Sequence, residues 1–245
     1  MGASASDNNH RFATTRWSLV VAAAQDRASS SNQALAELCR AYWYPLYAFV
    51  RRKGSNAEDA LDLTQGFFSR MLEKNDLAMA DQSRGRFRSF LLASLTHYLA
   101  NEHDREGRLK RGGDKDHISF ELKDAESRYR LEPEHELTPE KLFDRRWALM
   151  LLDRVLISVR DDYERDGNAD LFAGLKDVLT FSPDTAPYGE IATRLGMTEG
   201  AVKVAVHRLR KRYRERLLQT IADSVASEED VEAEIRDLFM ALTTH

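Results

Sequence analysis

Apolar residues in this chain recur at intervals of three and four, and nowhere do they alternate in twos. That period is the period of one face of an α-helix, and it excludes half-buried strands. It predicts helices over about 14–25 (Trp17, Leu19, Val20, Val21), 35–50 (Leu35, Leu38, Cys39, Tyr42, Leu46, Phe49, Val50), 57–73 and 87–108. Further on it predicts helices from Leu142 through Val159 and over Leu171–Leu179, then two more separated at Gly196. Pro45 is expected to kink the second of these helices, because it lacks the amide hydrogen that a helix interior uses. The expected fold class is all-α, in two helical domains joined by a linker.

The boundaries follow from where the period lapses. Residues 1–11 are small and polar and read as a disordered tail, although Met1-Gly2 formally opens a myristoylation pattern. Residues 12–112 form the first domain, closed by Gly112-Gly113. Residues 113–142 read as an exposed linker, whose few apolar residues (Ile118, Phe120, Leu122) have the alternative of docking on a domain. Residues 143–222 form the second domain, and 223–245 an acidic tail.

Composition sharpens this. Charged residues make up 31% of the chain, above the usual quarter, which suits small helical domains with much surface. The net charge of −4 conceals a basic run, Arg208–Arg214, followed by an acidic end with Glu228, Glu229, Asp230, Glu232, Glu234 and Asp237. One cysteine, Cys39, allows no intramolecular disulfide and fits a reducing cytoplasm. No apolar run reaches the roughly 18 residues that a membrane span needs, and no secretory signal opens the chain.

The stretch Tyr188–Lys203 has the spacing of a helix-turn-helix. Ala192 is small where two helices must cross, Gly196 stands where the chain turns with positive φ, and Val202 packs back on the first helix. Thr198 is a good N-cap for the second helix. A helix so placed enters the major groove with its N-terminal part. Lys203, His207, Arg208 and Lys211 then face away from Val202, Ala205, Val206 and Leu209. The bland alternative is a basic, solvated helix in an ordinary bundle.

Glu190-Ile191-Ala192 and Thr198-Glu199-Gly200-Ala201-Val202-Lys203, with Leu-Arg-Lys-Arg-Tyr-Arg after them, resemble region 4 of the sigma-70 family, in its extracytoplasmic-function members. Asp62-Leu63-Thr64-Gln65-Gly66-Phe67-Phe68 resembles the Asp-Leu-Val-Gln-Glu-Val-Phe signature of region 2. Arg86-Phe87-Arg88-Ser89-Phe90-Leu91 resembles the family's Phe-Arg-x-Trp-Leu. The chain departs from the pattern at Leu61, Phe90, His97 and Asn101, where Glu, Trp, Asn and Asp are common. The long linker and acidic tail resemble planctomycete-type variants.

The resemblance implies a cytoplasmic transcription initiation factor, not an enzyme, with no cofactor and no metal. Its partners would be core RNA polymerase (the β′ clamp and the β flap), promoter DNA, and in some relatives an anti-sigma or other regulatory protein. Polymerase contacts would come from Asp62, Leu63 and Gln65, while Phe67 and Phe68 hold their helix to its own core. Duplex DNA would meet Thr198, Glu199, Lys203, His207, Arg208 and Lys211. Arg84, Arg86 and Arg88 would hold the backbone of an opened strand, near a pocket formed by loop 75–86 and the start of the next helix.

The acidic tail reads either as a solvated helix packed loosely on the domain or as a self-inhibitor laid over the DNA-reading helix. Three other functions compete. A dimeric helix-turn-helix regulator would act without entering the polymerase, and a protein-only antagonist would bind another sigma factor. A nucleic-acid enzyme would need clustered carboxylates or histidines, and the seven histidines are scattered.

Overall fold

A computed structural model describes residues 29–74, 77, 80, 86–106, 122–131, 137–181, 186–225 and 228–243. Among these residues there are nine α-helices and no strand. In chain order they are α1 (Ser29–Arg52), α2 (Ala57–Lys74), α3 (Phe87–Glu106), α4 (Leu122–Tyr129) and α5 (Pro139–Arg165). Then come α6 (Ala169–Leu175) with a 3-10 turn (Lys176–Thr180), α7 (Tyr188–Leu195), α8 (Glu199–Ala222) and α9 (Glu228–Thr243). The described residues are thus all-α. The helix expected over 14–25 lies outside the described residues. Among the described residues no helix is long and apolar enough to cross a membrane.

Local chemistry sets the helix starts. Asn56 accepts from the Asp59 amide at 2.8 Å, and Glu58 and Asp59 sit in the first turn of α2, where carboxylates meet the positive end of the helix dipole. Thr138 caps α5 by accepting from the Lys141 amide at 3.3 Å, with Pro139 in the first turn, where its missing amide hydrogen costs nothing.

The buried residues fall into two clusters. The first gathers α1 (Tyr42, Leu46, Tyr47, Phe49), α2 (Phe67, Phe68, Met71), α3 (Phe87, Leu91, Leu95) and the first half of α5 (Leu142, Phe143, Trp147, Leu151). Tyr42 meets Phe87 edge-on, with ring centroids 5.6 Å apart. Ile221 of α8 and Leu238 of α9 belong to this cluster too. The second gathers Val155, Val159 and Tyr163 from the other half of α5, with Phe172, Leu175, Ile191, Ala192, Val202, Val206 and Leu209. Each such aliphatic or aromatic side chain contributes about 1.5–3 kcal/mol by leaving water.

Two expectations about the middle of the chain change. The boundary read between residues 142 and 143 falls inside the continuous helix α5, which serves both clusters. Within the segment read as an exposed linker, α4 docks instead. Ala125 and Leu137 are buried, and Glu126 accepts from Arg51 (Nη2, 3.0 Å) and from the Tyr47 hydroxyl (2.9 Å). Ile118 and Phe120 lie outside the described residues, as do Gly112 and Gly113.

Candidate nucleic-acid interface

The helix-turn-helix is built by α7 and α8. Gly196 ends α7 at φ 63°, the left-handed region that favours glycine, and the Met197 amide returns to the Ala192 carbonyl at 3.0 Å. Thr198 then adopts an extended backbone, and its hydroxyl accepts from the Ala201 amide at 3.2 Å, so α8 starts at a fixed angle. Val202 is fully buried and Ala192 nearly so, within the one cluster that joins α5, α6, α7 and α8. The spacing Ala192–Gly196–Val202 therefore does in the fold what it was expected to do.

The basic run of α8 divides between two roles. Lys203, His207, Arg208, Lys211 and Arg214 are exposed, as are Thr198 and Glu199 at the helix start. Glu199 pairs with Lys203 at 2.7 Å and raises the pKa of its ammonium group. The other arginines turn back on the protein. Arg210 donates to the carbonyls of Val178 (3.0 Å) and Phe181 (2.7 Å). Arg212 pairs with Asp166 at 3.1 Å and lies over the Tyr163 ring, 4.9 Å from its centroid. Arg216 pairs with Asp162. The Tyr213 hydroxyl donates to the Leu152 carbonyl at 3.1 Å, and burial pushes its pKa up to about 12. One edge of α8 thus braces the fold, and the opposite edge presents solvent-exposed basic side chains, of which Lys203 and Lys211 pair with Glu199 and Glu215 one turn away.

Sequence reasoning missed Val204, which is 52% exposed on this edge, beside exposed Gly200 and Ala201. Together they form a small apolar surface at the N-terminal end of α8. A helical wheel drawn from Val202 would have found it.

The first cluster presents the other expected residues less uniformly. Asp62 is exposed and Leu63 half-buried, but Gln65 is only 7% exposed, so its side chain faces inward rather than toward a partner. Phe67 and Phe68 are buried, as expected. Arg84 lies outside the described residues, with most of loop 75–86. Arg88, expected to hold a DNA backbone, is instead a buried residue. Its guanidinium stacks 4.2 Å over the Trp147 ring and donates Nε and Nη2 to the two oxygens of Glu234 at 3.0 and 3.1 Å. It also pairs with Asp144 and Asp237. Burial works against the charge on Arg88, yet these carboxylates hold its pKa above the ordinary value. Asp144 moves upward, because burial outweighs the pull of Arg88. Arg86 sits at the rim, its Nε 2.7 Å from Glu234, and pairs also with Asp237.

Glu234 and Asp237 belong to α9. The acidic end of the chain therefore lies against α3 and α5 and leaves Lys203, His207, Arg208 and Lys211 exposed. Of the two readings of the tail, the structure agrees with a helix packed on the domain and not with one laid over α8. A groove of about 340 Å³ between α2 and α3 was also missed in part. It is lined by Arg70, Lys74, Phe90, His97, Tyr98 and Asn101, among others. Among the described residues no group of His, Cys, Asp and Glu has the arrangement of a metal site. No family model matches the chain, and no curated protein or solved structure matches it either.

Proposed function

We propose that this chain is a transcription initiation factor of the extracytoplasmic-function sigma type, which binds core RNA polymerase and directs it to promoters. The observation that carries this reading is the exposed basic edge of α8, held by a capped helix-turn-helix with Val202 and Ala192 at its crossing. Phosphate contacts from Arg208, Lys211 and Arg214 would set register, and Lys203, Val204 and His207 would meet base edges. The groove between α2 and α3 supports the second half of the reading, since bases of an opened strand stack on aromatic side chains flanked by positive charge. Exposed Asp62 and half-buried Leu63 of α2 are the proposed contact with the β′ clamp, and the C-terminal domain the contact with the β flap. The proposed setting is the cytoplasm.

Association with core RNA polymerase, followed by run-off transcription on genomic fragments, tests this directly. The expected result is co-purification and discrete transcripts that core polymerase alone does not make. A second reading, a duplex-binding regulator outside the polymerase, draws support from the inward Gln65 and the engaged Arg88. Tight, polymerase-independent binding to one operator, with no association with core polymerase, would replace the first reading by the second.

A further inference from the structure

We infer that α9 is a removable acidic occupant of the Arg86–Arg88 site, standing where the phosphates of an opened nucleic-acid strand bind. The inference deepens the proposed function by naming how one of its two sites is regulated.

The contact has the chemistry of a phosphate mimic. Glu234 offers two oxygens to the Arg88 fork at 3.0 and 3.1 Å and one of them to Arg86 at 2.7 Å. Asp237 adds a second carboxylate to the same two arginines. Planar guanidinium groups recognise carboxylate and phosphate by the same paired geometry. Beside this contact a groove of about 550 Å³ runs along α3, lined by Arg86, Arg88, Ser89, Thr96, His97 and Asp237, among others. Glu140 and Asp144 of α5 line the groove as well, but the carboxylates that engage Arg86 itself are Glu234 and Asp237 of α9.

Beyond these ion pairs α9 packs on the first cluster through Leu238, with Val231, Ile235, Ala241 and Leu242 half-buried against it. Among its described side chains only Glu234 and Leu238 are buried, whereas Phe239 and Met240 are 56% and 58% exposed. In α1, by contrast, every residue from Ala41 to Val50 is buried. The ion-pair part of the α9 contact yields to a competing polyanion by exchange, because each arginine trades one anionic partner for another.

The test uses the full-length chain, a fluorescein-labelled mixed-sequence single-stranded oligodeoxynucleotide and a duplex control, read by anisotropy. The double substitution Glu234→Gln, Asp237→Asn keeps side-chain shape and removes both charges. It is expected to tighten single-strand binding about tenfold, within the usual span of coupling between sites, and to leave duplex binding unchanged. In the unsubstituted protein, saturating single strand is expected to speed hydrogen exchange of amides in 228–243. Equal single-strand affinity of the two proteins, or no single-strand binding by either, overturns the inference. Unaltered exchange in α9 overturns it too, and that measurement stands alone if the double variant does not fold. Failure to associate with core polymerase, with the single-strand effects present, would overturn the proposed function and leave the α9 contact standing.

Discussion

Arg88 lies between Trp147 and Glu234: its guanidinium stacks 4.2 Å above the indole of α5, and its Nε and Nη2 reach both carboxylate oxygens of α9. One side chain on α3 thereby joins three helices that are far apart in sequence. Arg88→Ala is expected to cost about 3–5 kcal/mol, because it leaves the buried Glu234 carboxylate without its main partner. Denaturant unfolding followed by Trp fluorescence measures this. A loss below 1 kcal/mol would mean that Arg88 is a surface residue in solution.

The division of labour along α8 makes a sharper prediction. Arg208→Ala and Lys211→Ala should weaken duplex binding on every sequence, and each should lower the slope of log affinity against log salt by about 1. Arg212→Ala should leave that slope alone. It should lower thermal stability, since Arg212 pairs with Asp166 and covers Tyr163. Anisotropy titrations at several salt concentrations, set beside melting curves, separate the two outcomes.

The turn before α8 is a stability determinant in its own right. Thr198→Ala removes the cap on the Ala201 amide and is expected to cost about 1 kcal/mol. Gly196→Ala forces a β-carbon into the left-handed region at φ 63°, at about 1–2 kcal/mol. Both should also weaken duplex binding, since they loosen the angle at which α8 is presented. Chemical denaturation and anisotropy on the same samples would show the two losses together.

Residues of α2 should part in the same way. Asp62→Arg is expected to abolish association with core polymerase without changing the melting temperature, because Asp62 is exposed. Gln65→Ala should cost roughly 1 kcal/mol of stability, because the side chain is buried. Its polymerase association should change little. Pull-down with core polymerase, alongside calorimetry, checks both.

Glu126 supplies a pH dependence. Arg51 chiefly, with help from Tyr47 against the opposing effect of burial, holds the Glu126 carboxyl below its ordinary 4.5. A carboxyl depressed in the folded state stabilises the protein above its unfolded pKa, and that contribution is lost as pH falls through the folded value. Melting temperature should therefore drop on acidification below about pH 4.5 through this site. Glu126→Gln should remove that part of the slope and be less stable at neutral pH. Parallel slopes for the two proteins would contradict the assignment.

What could be read from the sequence was what is local. The helix-turn-helix was legible because Ala192, Gly196, Thr198 and Val202 act on one another within a dozen residues. The buried character of Arg88 was not, because its partners stand at Asp144, Trp147, Glu234 and Asp237, on two other helices. The docking of α4 was open as an alternative, but what fastens it was hidden. Its charged stretch carries a weak apolar pattern, and what fastens it is Glu126 reaching Arg51 and Tyr47 some 75 and 79 residues earlier. Gln65 misled for a related reason: a motif gives residue types, whereas the neighbouring helices decide which face of α2 meets solvent.

The 27 residues of α5 run unbroken from one cluster into the other, a rod of about 40 Å at 1.5 Å per residue. A span of that kind transmits rotation instead of absorbing it. If the two ends of the protein grip separate stretches of DNA, the distance between those stretches is tied to a fixed strut for as long as α5 stays whole. Promoters with altered spacing would then have to be met by twisting the DNA or by peeling Leu142–Leu151 from their bed.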